Sequence, residues 1–284
     1  MSSPISASLR SERPSVSVLM STYARETAAN LEASLASLWA QTVLPDQVVL
    51  VLDGPVGDEQ EAVIARHAVG PHGARLDVIR LPENVGLACA LNAGLDRCTG
   101  DFTARMDSDD LCLPDRIELQ CLCAMQTPDR DFICSWNDEF FDAGGPVRLK
   151  VAPVTHEALI AALRWRNVIQ HSTIFVRTNT LRAVGGYRAK YGLLEDYDLF
   201  VRLALYGARF RVIPKVLVHI RASLDQRRRR GGLRYALNEL RFRRDCLRAG
   251  FLDTRQFLVI TALYTVFRLI SGGLRARLYA LART

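Results

Sequence analysis

The 284-residue chain is short of several features that would place it quickly, and each absence excludes something. Its most C-terminal apolar stretch, residues 257–270, has fourteen positions and is broken by Thr261, Thr265 and Arg268. About 20 apolar residues are needed to cross ~30 Å of hydrocarbon, so this stretch does not span a membrane. There is no GxGxxG and no GxxxxGK[ST], which removes dinucleotide and P-loop phosphate binding. The seven cysteines, at 89, 98, 112, 121, 123, 134 and 246, lack CxxC spacing. They read as reduced, buried thiols of a cytosolic protein, not as a disulfide framework or zinc site. No charged-then-apolar leader opens the chain, and residues 1–13 are polar, Ser-rich and expected to form a flexible tail.

What is present is a globular composition, 49% hydrophobic and 24% charged, with a net charge of +7. That charge is uneven. From Leu224 onward Arg outnumbers Asp and Glu more than threefold, while the preceding chain is close to neutral. A basic end of this kind calls for an anionic partner, either nucleic acid or an acidic phospholipid surface.

Taken in order, β-rich runs alternate with helical periodicity. Val16-Ser17-Val18-Leu19-Met20-Ser21 leads to Leu31, Leu35, Leu38 and Trp39 at helical spacing. Val48-Val49-Leu50-Val51-Leu52 closes at Asp53-Gly54-Pro55, and a helix near 59–67 precedes a strand at 76–81. After Asn84-Val85-Gly86 comes an amphipathic helix, then a fourth strand at 101–106. Such alternation predicts βαβ units, a mostly parallel sheet and ligands gathered at the carboxyl ends of its strands. Ser21-Thr22, Asp53, Asn84 and Asp107-Ser108-Asp109-Asp110 all fall at those ends.

Three carboxylates within four residues repel one another by about 1 kcal/mol per pair in water and more where water is excluded. Asp107 and Asp109, separated by Ser108, suit a hard divalent ion that shares oxygen ligands with a diphosphate. Asp110, next to Leu111 and Pro114, reads as a helix-entry residue or as one that supports the metal ligands from behind. Later strands are expected at 131–141 and 166–177, with a helix near 156–166. Then Glu195-Asp196-Tyr197-Asp198 opens an amphipathic helix, where a carboxylate at a cleft wall could act as a general base.

This combination resembles family 2 glycosyltransferases of the GT-A fold, in the bacterial exopolysaccharide and O-antigen subgroup that includes amylovoran-type transferases. The resemblance rests on Val16–Tyr23, Val48–Pro55, Asn84–Gly94, Ala104–Asp110 with Pro114 and Arg116, Arg166–Arg177, Gly185–Tyr187, Glu195–Arg202 and Ile213–Arg221. It covers roughly residues 14–225 and implies a Rossmann-like nucleotide-binding sheet flanked by helices. The implied activity is inverting, metal-dependent transfer of one hexose from a nucleoside-diphosphate sugar, with UDP the expected nucleotide. By position, Thr22, Tyr23, Asp53 and Asn84 correspond to nucleoside contacts, and Asp107 and Asp109 to the pair that holds Mn2+ or Mg2+. Asp196, with Glu195 before it, corresponds to the catalytic base. Relatives often carry a further His after the last strand; here His219 or His171 would have to serve. The QxxRW of processive synthases is missing, which favours one sugar per encounter.

Residues 226–284 read as an Arg-rich helical extension, amphipathic over 233–250, suited either to an anionic membrane surface or to packing on the catalytic domain with its arginines in solvent. With it come a polyprenyl-diphosphate-linked saccharide acceptor and a peripheral place on the cytoplasmic face of the cell membrane. Two alternatives belong to other classes. A nucleic-acid binder would use the basic end, but no binding motif or aromatic interleaving accompanies it. A nucleotidyltransferase would need a Gly-rich basic loop where Ser21-Thr22-Tyr23-Ala24-Arg25-Glu26 stands.

Overall fold

A computed structural model describes residues 13–71, 74–141, 144, 147–222 and 232–269. Its first half alternates as expected: β1 (Val16–Thr22), α1 (Ala28–Trp39), β2 (Gln47–Leu52), α2 (Asp58–His67), β3 (Leu76–Arg80), α3 (Leu87–Leu95) and β4 (Phe102–Asp107). The second half runs β5 (Leu111–Cys112), α4 (Arg116–Gln126), β6 (Phe132–Phe140), β7 (Arg148–Lys150), α5 (His156–Trp165), β8 (Phe175–Arg177), α6 (Thr178–Ala183), α7 (Glu195–Tyr206), β9 (Phe210–Arg221), α8 (Leu233–Arg248) and α9 (Thr254–Leu269). The strands form one sheet in the order β3-β2-β1-β4-β8-β6-β9-β5, with β7 added to β6.

β1, β2 and β4 are continuous apolar runs because both their faces are covered, as parallel strands require. Val18 and Met20 pack towards α1 and α4. Leu19, between them, packs towards α3 and α7, so the two-residue period of one strand feeds two cores. The mostly parallel sheet holds for β3-β2-β1-β4. Beyond β4 the pairing is mixed: β8 runs antiparallel to both β4 and β6, and β5 antiparallel to β9. The strand expected over 166–177 is reduced to three residues, because His171–Thr173 coil into a 3-10 turn beneath the acidic residues. β5 is a two-residue strand that the sequence pattern does not reveal.

Close backbone approach fixes two glycines. In α3, a Cβ on Gly94 would lie 2.4 Å from Leu19 Cδ1 and 2.8 Å from Val51 Cγ2, so this helix seats directly on the sheet. After β2, Gly54 turns with φ 87°, and a Cβ there would meet the Asn84 backbone N at 2.8 Å. A left-handed conformation costs a non-glycine residue about 1–2 kcal/mol before any clash. Gly54→Ala is therefore expected to lower the thermal midpoint by several degrees, which calorimetry measures.

The C-terminal helices share the domain core. Phe242 packs against Tyr191 and Tyr197 at 5.3 and 4.8 Å between ring centroids. Tyr191 Oη donates to Asp245 Oδ2 at 2.7 Å, and the Glu239–Arg243 pair is buried on the same face. The helix expected over 233–250 is thus built into the domain from Leu233 on. The arginine run at 227–230 and the tail from 270 lie outside the described residues, as do residues 1–12. No helix among the described residues is long and apolar enough to cross a membrane. All seven cysteines are unpaired. Five are buried, whereas Cys89 is exposed on α3 and Cys123 is half-buried, so the expected burial does not extend to Cys89. Burial pushes the Cys98 thiol up to about 11, away from thiolate chemistry.

Candidate active site

The site forms where β1, β2 and β4 end. Ser21 is in register with Asp107, and Thr22 with Leu52, so the loops after three adjacent strands leave the sheet at one level. Asp53 is buried, and its carboxylate accepts from the backbone N–H of Val85 at 2.7 Å and of Gly86 at 3.1 Å. Asn84 Nδ2 donates to the Asp53 carbonyl at 3.0 Å. Asp53 and Asn84 therefore tie two loops together and cap the start of α3. Thr22 Oγ1 is buried and has no hydrogen-bond partner among the described residues, the mark of a group that awaits an outside partner. Tyr23 is half-buried, and its carbonyl accepts from Gln60 Nε2 at 3.1 Å.

Asp107 stands over a buried cation. Arg105 and Asp107 are two apart on β4, so both side chains fall on the face that carries Leu19. One arginine Nη donates to Asp107 Oδ1 and the other to Ser172 Oγ at 2.9 Å. Ser172, in the 3-10 turn, lies 2.7 Å from Asp107 Oδ2 and also bonds Asp110 Oδ2. Below them Arg116, fully buried, donates to the Arg105 carbonyl at 2.8 Å. On the other face the Ser34 hydroxyl of α1 donates to the Asp107 carbonyl at 3.0 Å. Asp107 is thus fixed from three directions.

The three carboxylates differ in character. Burial works to raise the Asp107 carboxyl, but the Arg105 guanidinium outweighs it and holds the group at about 2. Burial and the Asp107 charge push Asp109 up to about 7. Asp110 is raised well above the usual range by burial and by both neighbours. It is not simply a helix-entry residue, since its Oδ1 accepts from the Arg221 backbone N–H at 2.9 Å and β5 follows it. One oxygen from each of the three lies within 4.8 Å of the others. An all-oxygen set of this size fits a hard divalent cation.

Asp196 opens α7 beside this pocket. Its Oδ2 accepts from Asn167 Nδ2 at 2.9 Å and its Oδ1 from the Tyr197 backbone N–H at 2.6 Å. Glu195 is half-buried at the same helix end, whereas Asp198 is buried and paired with Arg202 at 2.7 Å. Tyr187 joins the two acidic groups: burial raises its hydroxyl, and it feels Arg105, Asp107 and Asp196 together. Asn92 of α3 fixes Tyr187 by two backbone hydrogen bonds, 2.8 and 2.9 Å.

The two histidines separate. His171 is buried and gives Nε2 to Tyr187 Oη at 3.0 Å. Burial and Arg105 push it well below its ordinary value, which favours the neutral ring. His219 places Nδ1 2.5 Å from Asp138 Oδ1 and is paired with Leu111, two residues beyond Asp109. A carboxylate on one ring nitrogen is the usual companion of a metal-ligating imidazole. The oxygens that lie within 4.8 Å of one another nevertheless come from the three aspartates alone.

Arg105, Ser172, Tyr187, Asn92 and Asn167 brace these acidic groups, and although each lies in a stretch that carries the family resemblance, the sequence singles out none of them. Only Arg105 leaves a local trace, a charged residue inside a strand that is otherwise buried.

The fold and this acidic strand end define a nucleotide-sugar transferase of the GT-A type. The Glycosyl transferase family 2 profile matches residues 17–185, and the chain belongs to that family of glycosyltransferases. It is 36% identical over 249 residues to the amylovoran biosynthesis glycosyltransferase AmsE of Erwinia amylovora, covering 86% of this chain and 92% of that protein. It is 30% identical over 271 residues to the UDP-Gal:alpha-D-GlcNAc-diphosphoundecaprenol beta-1,3-galactosyltransferase of Escherichia coli, covering 94% and 96%. Among solved structures, S. aureus TarS 1-349 in complex with UDP superposes with a TM-score of 0.64 at 18% identity, over 88% of this chain and 70% of that one. The chain spans 44% of a longer TarS structure. The mannosyltransferase PcManGT from Pyrobaculum calidifontis, solved with GDP-Man and Mn2+, gives 0.62 at 19% identity, over 96% and 81%. These last likenesses speak for the fold.

Proposed function

We propose that this glycosyltransferase moves one hexose per encounter, with inversion, from a UDP-sugar to a hydroxyl of a saccharide carried on a polyprenyl diphosphate. The observation that carries this reading is the Asp107, Asp109 and Asp110 cluster, in which one oxygen from each lies within 4.8 Å of the others and Arg105 and Ser172 orient Asp107. The E. coli relative, whose name states a UDP-Gal donor and a diphosphoundecaprenol-linked acceptor, supports the substrate classes.

In this reading Thr22, Tyr23, Asp53 and Asn84 form the nucleoside side, with the buried Thr22 hydroxyl as the group that gains a partner. Asp107 and Asp109 would hold Mn2+ or Mg2+, with His219 the imidazole available to complete the set. When bound, the ion would offset charge on the departing diphosphate. Asp196 takes the proton of the acceptor hydroxyl while that oxygen bonds to the anomeric carbon. The bond from that carbon to the diphosphate oxygen breaks on the opposite face, and UDP leaves with the electron pair. Asn167 and the Tyr197 backbone N–H each donate to one Asp196 oxygen and so orient the carboxylate for this step. Glu195 adds negative charge at the same helix start. The test is incubation with UDP-, GDP- and dTDP-sugars, Mn2+ and a saccharide–diphosphate–lipid. A product one hexose heavier, made from a UDP-sugar, is expected; donor hydrolysis without transfer to any such acceptor would contradict the reading.

The raised Asp109 carboxyl makes metal affinity pH-dependent. Below about 7 the proton must be displaced, so Mn2+ affinity is expected to fall about tenfold per pH unit, and to level off above it. Metal titrations at pH 5.5, 6.5 and 8 check this. The same sign predicts that the metal-free protein loses stability as pH rises from the unfolded Asp value through 7, since the fold then holds an ionised group that it disfavours.

The outer faces of α8 and α9 expose Leu233, Leu237, Leu258 and Leu263 among arginines. We assign them to the anionic inner surface of the cell membrane, where a lipid-linked acceptor would be met. Removing 226–284 would also strip Phe242 from the core, so the clean variants are Leu237→Asp and Leu258→Asp. They should lower sedimentation with anionic vesicles severalfold without changing the thermal midpoint by more than a few degrees.

A further inference from the structure

The chain has three tryptophans, and two are enclosed. Trp136 gives its Nε1 to the Ala152 carbonyl at 3.0 Å, and Trp39 packs over Gly70. Trp165, the last residue of α5, is 44% exposed. An exposed indole leaves a large apolar surface in water, and its place here is not arbitrary. Two residues before it, the Leu163 carbonyl accepts from Tyr197 Oη. Two residues after it, Asn167 Nδ2 holds Asp196 Oδ2 at 2.9 Å. The end of α5 is therefore pinned on both sides of Trp165 to consecutive residues at the start of α7, one of them the candidate base.

Arg164 and Arg166 flank the indole, and both are exposed. Neither forms an ion pair among the described residues. Arg164 complements the carbonyl end of α5, but Arg166 has left the helix with extended backbone at φ −159°. An Arg-Trp-Arg run beside a proton acceptor has a specific chemical complement. The indole is a rigid apolar plate at little entropic cost, matching the C–H face of a pyranose. Guanidinium groups match phosphate oxygens by paired N–H donors. Together they ask for a sugar joined to a diphosphate, and the neighbouring Asp196 is where a hydroxyl of that sugar would be activated.

We infer that Arg164-Trp165-Arg166 is the acceptor-recognition element, with the acceptor pyranose stacked on Trp165 and its diphosphate taken by the two arginines. This rests on the glycosyl-transfer reading above and adds to it the residues that select the acceptor. Trp165 touches substrate but takes no part in proton transfer, so its loss should appear in the acceptor KM.

The test uses the full chain, Mn2+, the UDP-sugar found active and two water-soluble acceptors without vesicles. One is a short-alkyl diphosphate saccharide and the other is the same saccharide as a neutral alkyl glycoside. Trp165→Ala is expected to raise KM for both acceptors about tenfold or more, while donor KM, Mn2+ affinity and thermal midpoint stay at wild-type values. Trp165→Phe should restore most of the affinity. Arg164→Gln with Arg166→Gln should raise KM for the diphosphate acceptor only. Unchanged acceptor KM in Trp165→Ala would overturn the inference. So would arginine variants that lose anionic-vesicle binding but keep the diphosphate acceptor KM, which would assign these cations to the bilayer. If wild-type protein modifies neither acceptor nor any other diphosphate-linked saccharide, it is the function reading that fails, a separate outcome.

Discussion

Asp196→Asn is expected to lower transfer roughly 10²–10⁴-fold, the range that a positioned general base contributes. The substitution keeps shape and removes the proton acceptor. The carbonyl oxygen of the introduced amide can still accept from the Asn167 amide or the Tyr197 backbone N–H, so α7 should keep its start. Binding of UDP and metal, which this reading gives to the β1, β2 and β4 loops, should stay at the wild-type level. A fall in kcat with unaltered donor KM marks a group that acts only as the hydroxyl is attacked. Near-normal turnover with UDP still bound would remove Asp196 from that role and turn attention to Glu195. Asp198→Asn serves as the contrast. Its carboxylate is buried against Arg202, which also donates to the Val184 and Gly186 carbonyls, so its loss should cost stability before chemistry.

Arg105→Met should have the largest effect on the fold. The guanidinium is 2% exposed and meets Asp107 and Ser172. The Arg105 side chain is 2% and the Asp107 side chain 33% exposed, so removing the cation should cost less than the about 3–5 kcal/mol of a fully buried pair. Asp107 would then rise towards protonation, because the cation that holds it at about 2 is gone and burial acts alone. Chemical denaturation should show the loss. It should be smaller at low pH, where Asp107 can be neutral in either state, than at pH 8, where its ionisation is opposed. Ser172→Ala is the milder companion. It retains the ion pair but frees Asp107 Oδ2 and Asp110 Oδ2 from their shared donor and leaves one buried Arg105 Nη without its acceptor, so Mn2+ affinity should fall and stability should drop by less than in Arg105→Met. An Arg105→Met protein as stable as wild type, at both pH values, would show that the strand does not depend on this pair.

The legible part of the molecule is the part built from local pattern. β1, β2 and β4 are visible as apolar runs ended by turn residues, and βαβ alternation places Thr22, Asp53, Asn84 and Asp107 at one edge. The Asn84–Gly86 turn carries its own signal, although the sequence points it to nucleotide contact and not to receiving Asp53. What stays hidden depends on distant segments meeting. Ser172 reaches Asp107 across 65 positions, and Asn92 reaches Tyr187 across 95. No spacing rule connects such pairs, since the intervening loops set the approach. β5 escapes a sequence reading because two residues carry no period. The amphipathic pattern over 233–250 leaves open whether its apolar side meets a membrane or the domain, and Phe242 and Cys246, which seat α8 in the core, are a minority among arginines. Arg105 is within reach of a pattern argument, because a cation inside a buried strand, two residues from a carboxylate, is on the same face as that carboxylate.

The central claim is that Asp109 completes a divalent-cation site that Arg105 and Ser172 prepare through Asp107. Titration of Mn2+ into wild type and Asp109→Asn at pH 8, with and without UDP, measures it directly. Wild type should bind one ion, more tightly with UDP present, and Asp109→Asn should lose that binding. Equal Mn2+ affinity in the two proteins would contradict the account.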